Sequence, residues 1–460
     1  MTQITSPTPR MPARSMGLKL LLVCALALIM SVTALFVFLL LYDRTQRAQE
    51  VTREIGQLVG GEQTFLGPVL AVPYTTPPLK AGEAPGYGVY LIFPTTGEAT
   101  ADTRSEVRQR SLFKVPVWQA DLKLTSGFDL SQATALGPGN AQYDWDRAEF
   151  LVGVTDPRGA RSDAVLVVGE RRIPLAPAVL AEQVGGESTG NLRMFGARIG
   201  DPRGLGEAPS VQADLKFSGA ERLSVLPWAK TTRFLARDDW PHPSFDGGFL
   251  PATRTIREDG FEARWSVPFI ARGVPQEGDI SLINRLSGGQ LGVSFVELTN
   301  PYQSVGRSLK YAPMFMGLVF LAFFIFESTT RRRVHPAQYV LLGLAQIVFY
   351  LLLLSIAERT GFDPAFLVAA GATVLLISAY ARWVFESVRQ GIAAFISFSV
   401  LYGLIYALMR LEDLALLIGA LASFAAIAAA MFFTRRIDWY GSPAQAAPAG
   451  PSPFDPPKAS

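Results

Sequence analysis

The hydrophobic residues of this chain are spread very unevenly, and that spread constrains its architecture more than anything else. One apolar run covers residues 17–42, reading LKLLLVCALALIMSVTALFVFLLLY from Leu18 to Tyr42. About 270 residues of mixed polarity follow. Further apolar runs fill the chain from Tyr311 to Phe433, at about 312–327, 337–357, 364–381, 391–409 and 413–433. A helix of about 20 apolar residues crosses roughly 30 Å of hydrocarbon. The pattern therefore predicts six membrane-spanning helices, one before and five after a large soluble domain. The first run exceeds the ~7–15-residue core of a cleaved signal peptide, and bulky residues precede Asp43 and Arg44, so it reads as an uncleaved anchor. The second run is short. Its flanks, Lys310 and Arg331, suit a span with local bilayer adjustment.

Lysine and arginine in the short loops set the expected orientation. Arg10 and Arg14 precede the first run and Lys19 opens it, Arg331, Arg332 and Arg333 follow the second, Arg382 and Arg389 follow the fourth, and Arg435 and Arg436 follow the sixth. The alternate loops carry only Arg359 and Arg410. Six spans put every basic cluster on one side. Both termini are then cytoplasmic, and the soluble domain lies across the membrane, in the periplasm of a bacterial host. Cys24, the only cysteine, falls inside the first run, so the soluble domain has no disulfide. Its size lets it bury a core without one. Its acidic and basic residues nearly cancel, which gives nucleic-acid binding no electrostatic support.

The expected divisions are a cytoplasmic tail over 1–16, the first span over 17–42, a mainly-β domain over 43–310, a five-helix bundle over 311–433 and a disordered tail over 434–460. Residues 43–59 place Ala48, Val51, Ile55 and Leu58 at helical spacing, as in a stalk that continues the first span. Gly67-Pro68 then reads as a turn leading into a strand at Val69–Tyr74, with Gly67, Pro68 and Pro73 as the residues that shape the turn and the strand entry. Alternating patterns recur at 87–94, 115–124, 164–170, 212–219 and 261–269, punctuated by Gly and Pro. That is the pattern of a β-sandwich-like domain, two sheets packed together. The fold class expected overall is membrane α+β. The tail is rich in Pro, Ala and Ser and has no apolar periodicity, hence the disorder.

Catalytic constellations are scarce. The two histidines, His242 and His335, fall on opposite sides of the membrane in this topology, so no multi-histidine zinc site forms. There is no Walker A loop, no dinucleotide-binding glycine motif and no HExxH. A serine triad would have to use His242, between Pro241 and Pro243; the plainer reading is a rigid loop, WPHPSFDG, packed by Trp240 and Phe245. Carboxylate pairs such as Asp144–Asp146 and Asp238–Asp239 have the composition of a glycosidase site, but sequence-adjacent pairs read as solvated turn residues. No enzyme, cofactor or metal is expected. In the bundle, Tyr339, Gly343, Gln346 and Tyr350 share one polar, small-residue face, which reads as helix packing or as the lining of a lipid or solute path. Glu327, Glu358 and Glu386 fall at span ends and read as interfacial. His335, Pro336, Gln338 and Tyr339 open the third span, with His335 as a cap or among the interfacial arginines.

Several segments together resemble the CreD family of inner-membrane, cell-envelope-integrity proteins. They are QTFLGPVLAVPY from Gln63 to Tyr74, DWPHPSFDGGFLP over 239–251, GFEARW over 260–265, PYQSVGRSLKY over 301–311, and HPAQYVLLGLAQIVFYLLLLSIAE over 335–358. The resemblance covers residues 44–430. It departs where the family has Glu-His after the third span and this chain has Glu358-Arg359. It implies a role in envelope maintenance and supplies no catalytic residue. The leading expectation is a non-enzymatic protein whose β domain binds an envelope protein or polymer, with membrane lipids around its helices. The alternatives are lipid or small-solute handling by the bundle, and an envelope-polymer hydrolase.

Overall fold

The computed structural model describes residues 16–78, 84–110, 113–131, 133, 137–180, 189–206, 208–295, 301–330, 334–410 and 415–435. The tail at 436–460, the basic residues Arg10 and Arg14, and the triplet 331–333 lie outside the described residues. Contacts group the chain into two compact units, Met1–Gln46 with Thr299–Ser460, and Arg47–Leu298. Residues 299–310, placed above in the soluble domain, group instead with the helices, because Pro301–Lys310 is itself a helix.

The unit Arg47–Leu298 is built on two sheets. In one, the strand order is Pro243–Gly247, Leu291–Phe295, Arg222–Val225, Gln63–Thr76, Glu149–Val154, Arg193–Arg198, Ala176–Pro177, with Gly86–Ile92 also paired to Gln63–Thr76. In the other it is Thr253–Arg257, Gly260–Val267, Thr231–Asp238, Thr96–Arg110, Phe113–Gly127, Ser210–Ala220, Val165–Val168, Arg171–Pro174. Alternation decides which face each strand buries: in Ser210–Ala220, Val211, Ala213, Leu215 and Phe217 point inward. The buried faces of the two sheets share one core, with Phe65 edge-on to Phe217 at 5.3 Å and Trp118 near Phe295 at 6.4 Å.

The strand Gln63–Thr76 is buried almost throughout, as a strand covered on both faces must be. Gly67-Pro68 is not the turn that the dipeptide suggested. It lies inside this strand, at a slip in the pairing with Glu149–Val154 between Leu66 and Val69. Proline has no N–H to give to the ladder, so the register shifts around it. Gly67 is there for space, since a Cβ would stand 2.2 Å from Cε2 of Trp228. The Trp228 indole donates to Ser126 Oγ at 2.8 Å, and Ser126 donates to the Pro68 carbonyl at 2.7 Å.

The helix Met16–Val59 carries the first apolar run and the stalk residues without a break. Its last turns pack Val51, Ile55 and Val59 on Val115, Val117 and Ala220. Leu58, expected on that face, is 79% exposed. Val59 replaces it because the row i, i+4, i+8 follows the packed stripe.

In the helical unit, Gly17–Val59, Pro336–Thr360, Phe362–Phe385 and Val388–Arg410 are long and apolar enough to cross a bilayer. Ala312–Ser328 passes that test only together with Tyr302–Lys310, from which it bends by 54°. Leu417–Phe432 is a shorter apolar helix. The helix Pro336–Thr360 buries Tyr339, Gln346, Tyr350 and Leu353 and exposes Leu341, Leu344, Val348 and Leu352. An exposed face made of leucine and valine suits hydrocarbon, not water.

Candidate functional site

The segment 238–250 connects the two sheets. Residues Thr231–Asp238 alternate, and Thr232, Phe234, Ala236 and Asp238 are buried, so Asp238 continues the inward row. It is not the solvated turn residue expected of an adjacent acidic pair. Ser105 Oγ donates to Asp238 at 3.0 Å, the Trp240 amide at 2.7 Å, and the Ser105 amide to Asp239 at 2.8 Å. Burial, ahead of any neighbour, pushes the Asp238 carboxyl up to about 7.

After Asp238 the chain is pinned by aromatic rings. Trp240 meets Phe295 edge-on at 6.4 Å, and its indole N–H donates to the His242 carbonyl at 3.1 Å. Phe245 sits edge-on to Phe261 and Trp265, both at 5.7 Å, and the Trp265 indole donates to the Phe249 carbonyl at 3.1 Å. More than half of the expected loop is a strand: Pro243–Gly247 pairs with Leu291–Phe295 and ends its sheet. Its outer side faces no further strand among the described residues. The His242 side chain is exposed, and so is Leu250 at 70%. The result is a backbone held on one side and offered on the other.

The other sequence-selected residues of this unit are structural. Gln63 is fully buried and saturated, donating to the Gly60 carbonyl at 2.7 Å and the Asp156 carbonyl at 2.8 Å while accepting from the Asp156 amide at 3.2 Å. Pro68 belongs to the bulge. The Pro73 carbonyl accepts from the Asp144 amide at 2.9 Å. The structure does not bring these residues together with Trp240, His242 and Phe245 into one cleft.

In the helical unit, His335 caps Pro336–Thr360. Its Nδ1 accepts from the Ala337 amide at 3.2 Å, its own amide donates to Gln338 Oε1 at 3.0 Å, and Pro336 takes the first turn, where its missing N–H costs nothing. One turn on, the Tyr339 hydroxyl donates to Glu327 at 2.8 Å. Glu327 also accepts from the Val334 amide at 2.8 Å and pairs with Lys19. At 3% exposure it is a buried clasp whose carboxylate does not reach water. Glu358, at the other end of the same helix, accepts from Tyr302 at 3.2 Å with Arg44 at 3.9 Å. Between these clasps the polar face is sealed: Gln346 and Tyr350 are fully buried, and among the described residues neither the Gln346 amide nor the Tyr350 hydroxyl has a hydrogen-bond partner. Among the described residues no group of three His, Cys, Asp or Glu side chains could hold a metal ion.

Comparison with known proteins accounts for most of the chain. The family model described as "Inner membrane protein CreD" matches residues 15–440. The curated "Inner membrane protein CreD" of Escherichia coli (strain K12) is 31% identical over 409 residues, covering 86% of this chain and 88% of that protein. The match takes in the aromatic-pinned edge strand, the capped helix and both carboxylate clasps alike, and the chain belongs to the CreD family of inner membrane proteins.

Proposed function

We propose that this protein maintains the cell envelope without catalysing a reaction. Its helices cross the inner membrane six times with both termini in the cytoplasm, and the sheet unit binds an envelope protein or polymer on the periplasmic side. The clasps support the spanning part. Lys19 and Arg44 lie about 37 Å apart along one helix at ~1.5 Å per residue, and residues 20–42 between them carry no charge. That length matches a hydrocarbon core with a charged clasp at each boundary. The observation that carries the binding role is the segment 239–250: five contacts fix its backbone, yet its strand edge, His242 and Leu250 stay free. A prefixed edge binds an extended segment without first having to be ordered. The test is rescue of an envelope-stress phenotype in a null strain by His242→Ala/Leu250→Asp at matched protein level. We expect rescue to fail, and Glu98→Ala, on an exposed ion pair with Arg233, to rescue fully. Full rescue by the double variant would remove this segment from the recognition surface.

A second reading is favoured by Gln346 and Tyr350. A polar group left without a partner in a membrane interior costs several kcal/mol, and both lie near the middle of Pro336–Thr360. A neutral hydroxyl- or amide-bearing lipid or solute between the helices would satisfy them. On that reading Gln346→Leu inserts and folds normally but loses activity. A fully active Gln346→Leu protein would count against it.

A further inference from the structure

Arg272 is a buried arginine of the sheet unit whose charge meets no carboxylate among the described residues. It ends the short helix Phe269–Arg272, just before Gly273 at φ 69°. The side chain is 6% exposed, and Nε, Nη1 and Nη2 are all buried without a hydrogen-bond partner. One face of the guanidinium lies over the Phe93 ring, 4.2 Å from its centroid. A ring covers a face but accepts nothing from the five N–H groups in the plane. The partly buried Arg222 of this unit, by contrast, pairs with Asp246 at 2.9 Å. Burial alone lowers Arg272, to about 10, with no neighbouring carboxylate acting on it, so it stays charged at neutral pH.

A second unmet group stands beside the same phenylalanine. Gln276 gives its amide N–H groups to the Phe93 and Pro94 carbonyls, the latter at 3.0 Å, and its Oε1 is buried with no donor. A desolvated charge without a partner costs several kcal/mol, and hydrophobic packing does not return it. The guanidinium fork matches the oxygens of a phosphate or carboxylate. Gln276 Oε1 adds a demand for a hydrogen on the same ligand, which a monohydrogen phosphate carries and acetate does not. From these two groups we propose that the segment 269–276 and Phe93 form a binding site for a small oxyanion of the phosphate class, held by Arg272 and oriented by Gln276.

The test uses the whole protein in detergent. Five of the seven tryptophans, Trp118, Trp145, Trp228, Trp240 and Trp265, lie in the sheet unit, so tryptophan fluorescence mainly follows its unfolding. Melts are compared in chloride, acetate and inorganic phosphate at equal ionic strength. Near saturation the wild type should gain about 5 °C in phosphate and less in acetate. Phosphate also strengthens burial generally, so Arg272→Met is the control: it should lose the gain, and in chloride it should melt no lower than wild type, because it removes an unpaired buried charge. Equilibrium dialysis of wild type with radiolabelled phosphate, which needs no variant, should show one site per chain. No bound phosphate, or an equal gain in Arg272→Met, overturns the site. An equal gain in acetate overturns its assignment to phosphate.

Discussion

Asp238 shows how one residue can be read wrongly by its neighbour and rightly by its strand. Next to Asp239 it has the look of a solvated turn. Counted from Thr232 in steps of two, it falls on the buried row with Phe234 and Ala236. Burial raises its carboxyl from the usual range to about 7. The folded chain therefore holds a proton there that the unfolded chain releases near pH 4. Its contribution to stability is full below about pH 4, falls as pH rises towards about 7, and is flat above. Asp238→Asn, neutral at every pH, should melt roughly 5 °C above wild type at pH 8, with the gap closing by pH 4. Fluorescence melts at the two pH values decide it; a gap independent of pH would mean that Asp238 is charged in the folded protein.

At the scale of the element, the apolar runs were readable because a membrane helix is specified locally, residue by residue. What ties the helices was not. Glu327 lies near the end of an apolar run, and nothing within that run says whether its side chain reaches water or turns inward. Its partners, Lys19 and Tyr339, come from the first and third apolar runs. The same limit applies in the sheets, where Gln63–Phe65 pairs in parallel with Leu223–Val225 from far along the chain. Alternation gives a strand's face but not its neighbour. Gly67-Pro68 was misread because its cause, the Trp228 ring, is equally distant in sequence. His335 with Gln338 three residues on was legible, because a cap is local. Breaking the Glu327 clasp from one side leaves a charge unpaired. Lys19→Met alone should destabilise the helical unit by about 3 kcal/mol, and Lys19→Met/Glu327→Leu by less. Loss of helical circular dichroism on heating, to which the sheet unit contributes little, measures both. A double variant weaker than either single one would mean that the pair is not coupled.

The whole molecule joins two units with different stability logic. The sheet unit has a core drawn wholly from its own residues, from Phe65 in one sheet to Phe217 and Trp265 in the other. Its arginines mostly pair on the surface, where each pair contributes little. The helical unit instead concentrates its polar bonds at the two ends of Pro336–Thr360 and leaves Gln346 and Tyr350 unmet between them. Because the sheet core needs nothing from the helices, a chain ending at residue 298 should fold. It should also reach the membrane through its first apolar helix. If binding by the sheet unit is the activity, this shortened chain rescues the envelope phenotype of a null strain at matched level, and the later helices serve to retain and position it. If it is folded and abundant but inactive, the activity needs the bundle, and the sealed face of Gln346 and Tyr350 becomes the first place to look for it.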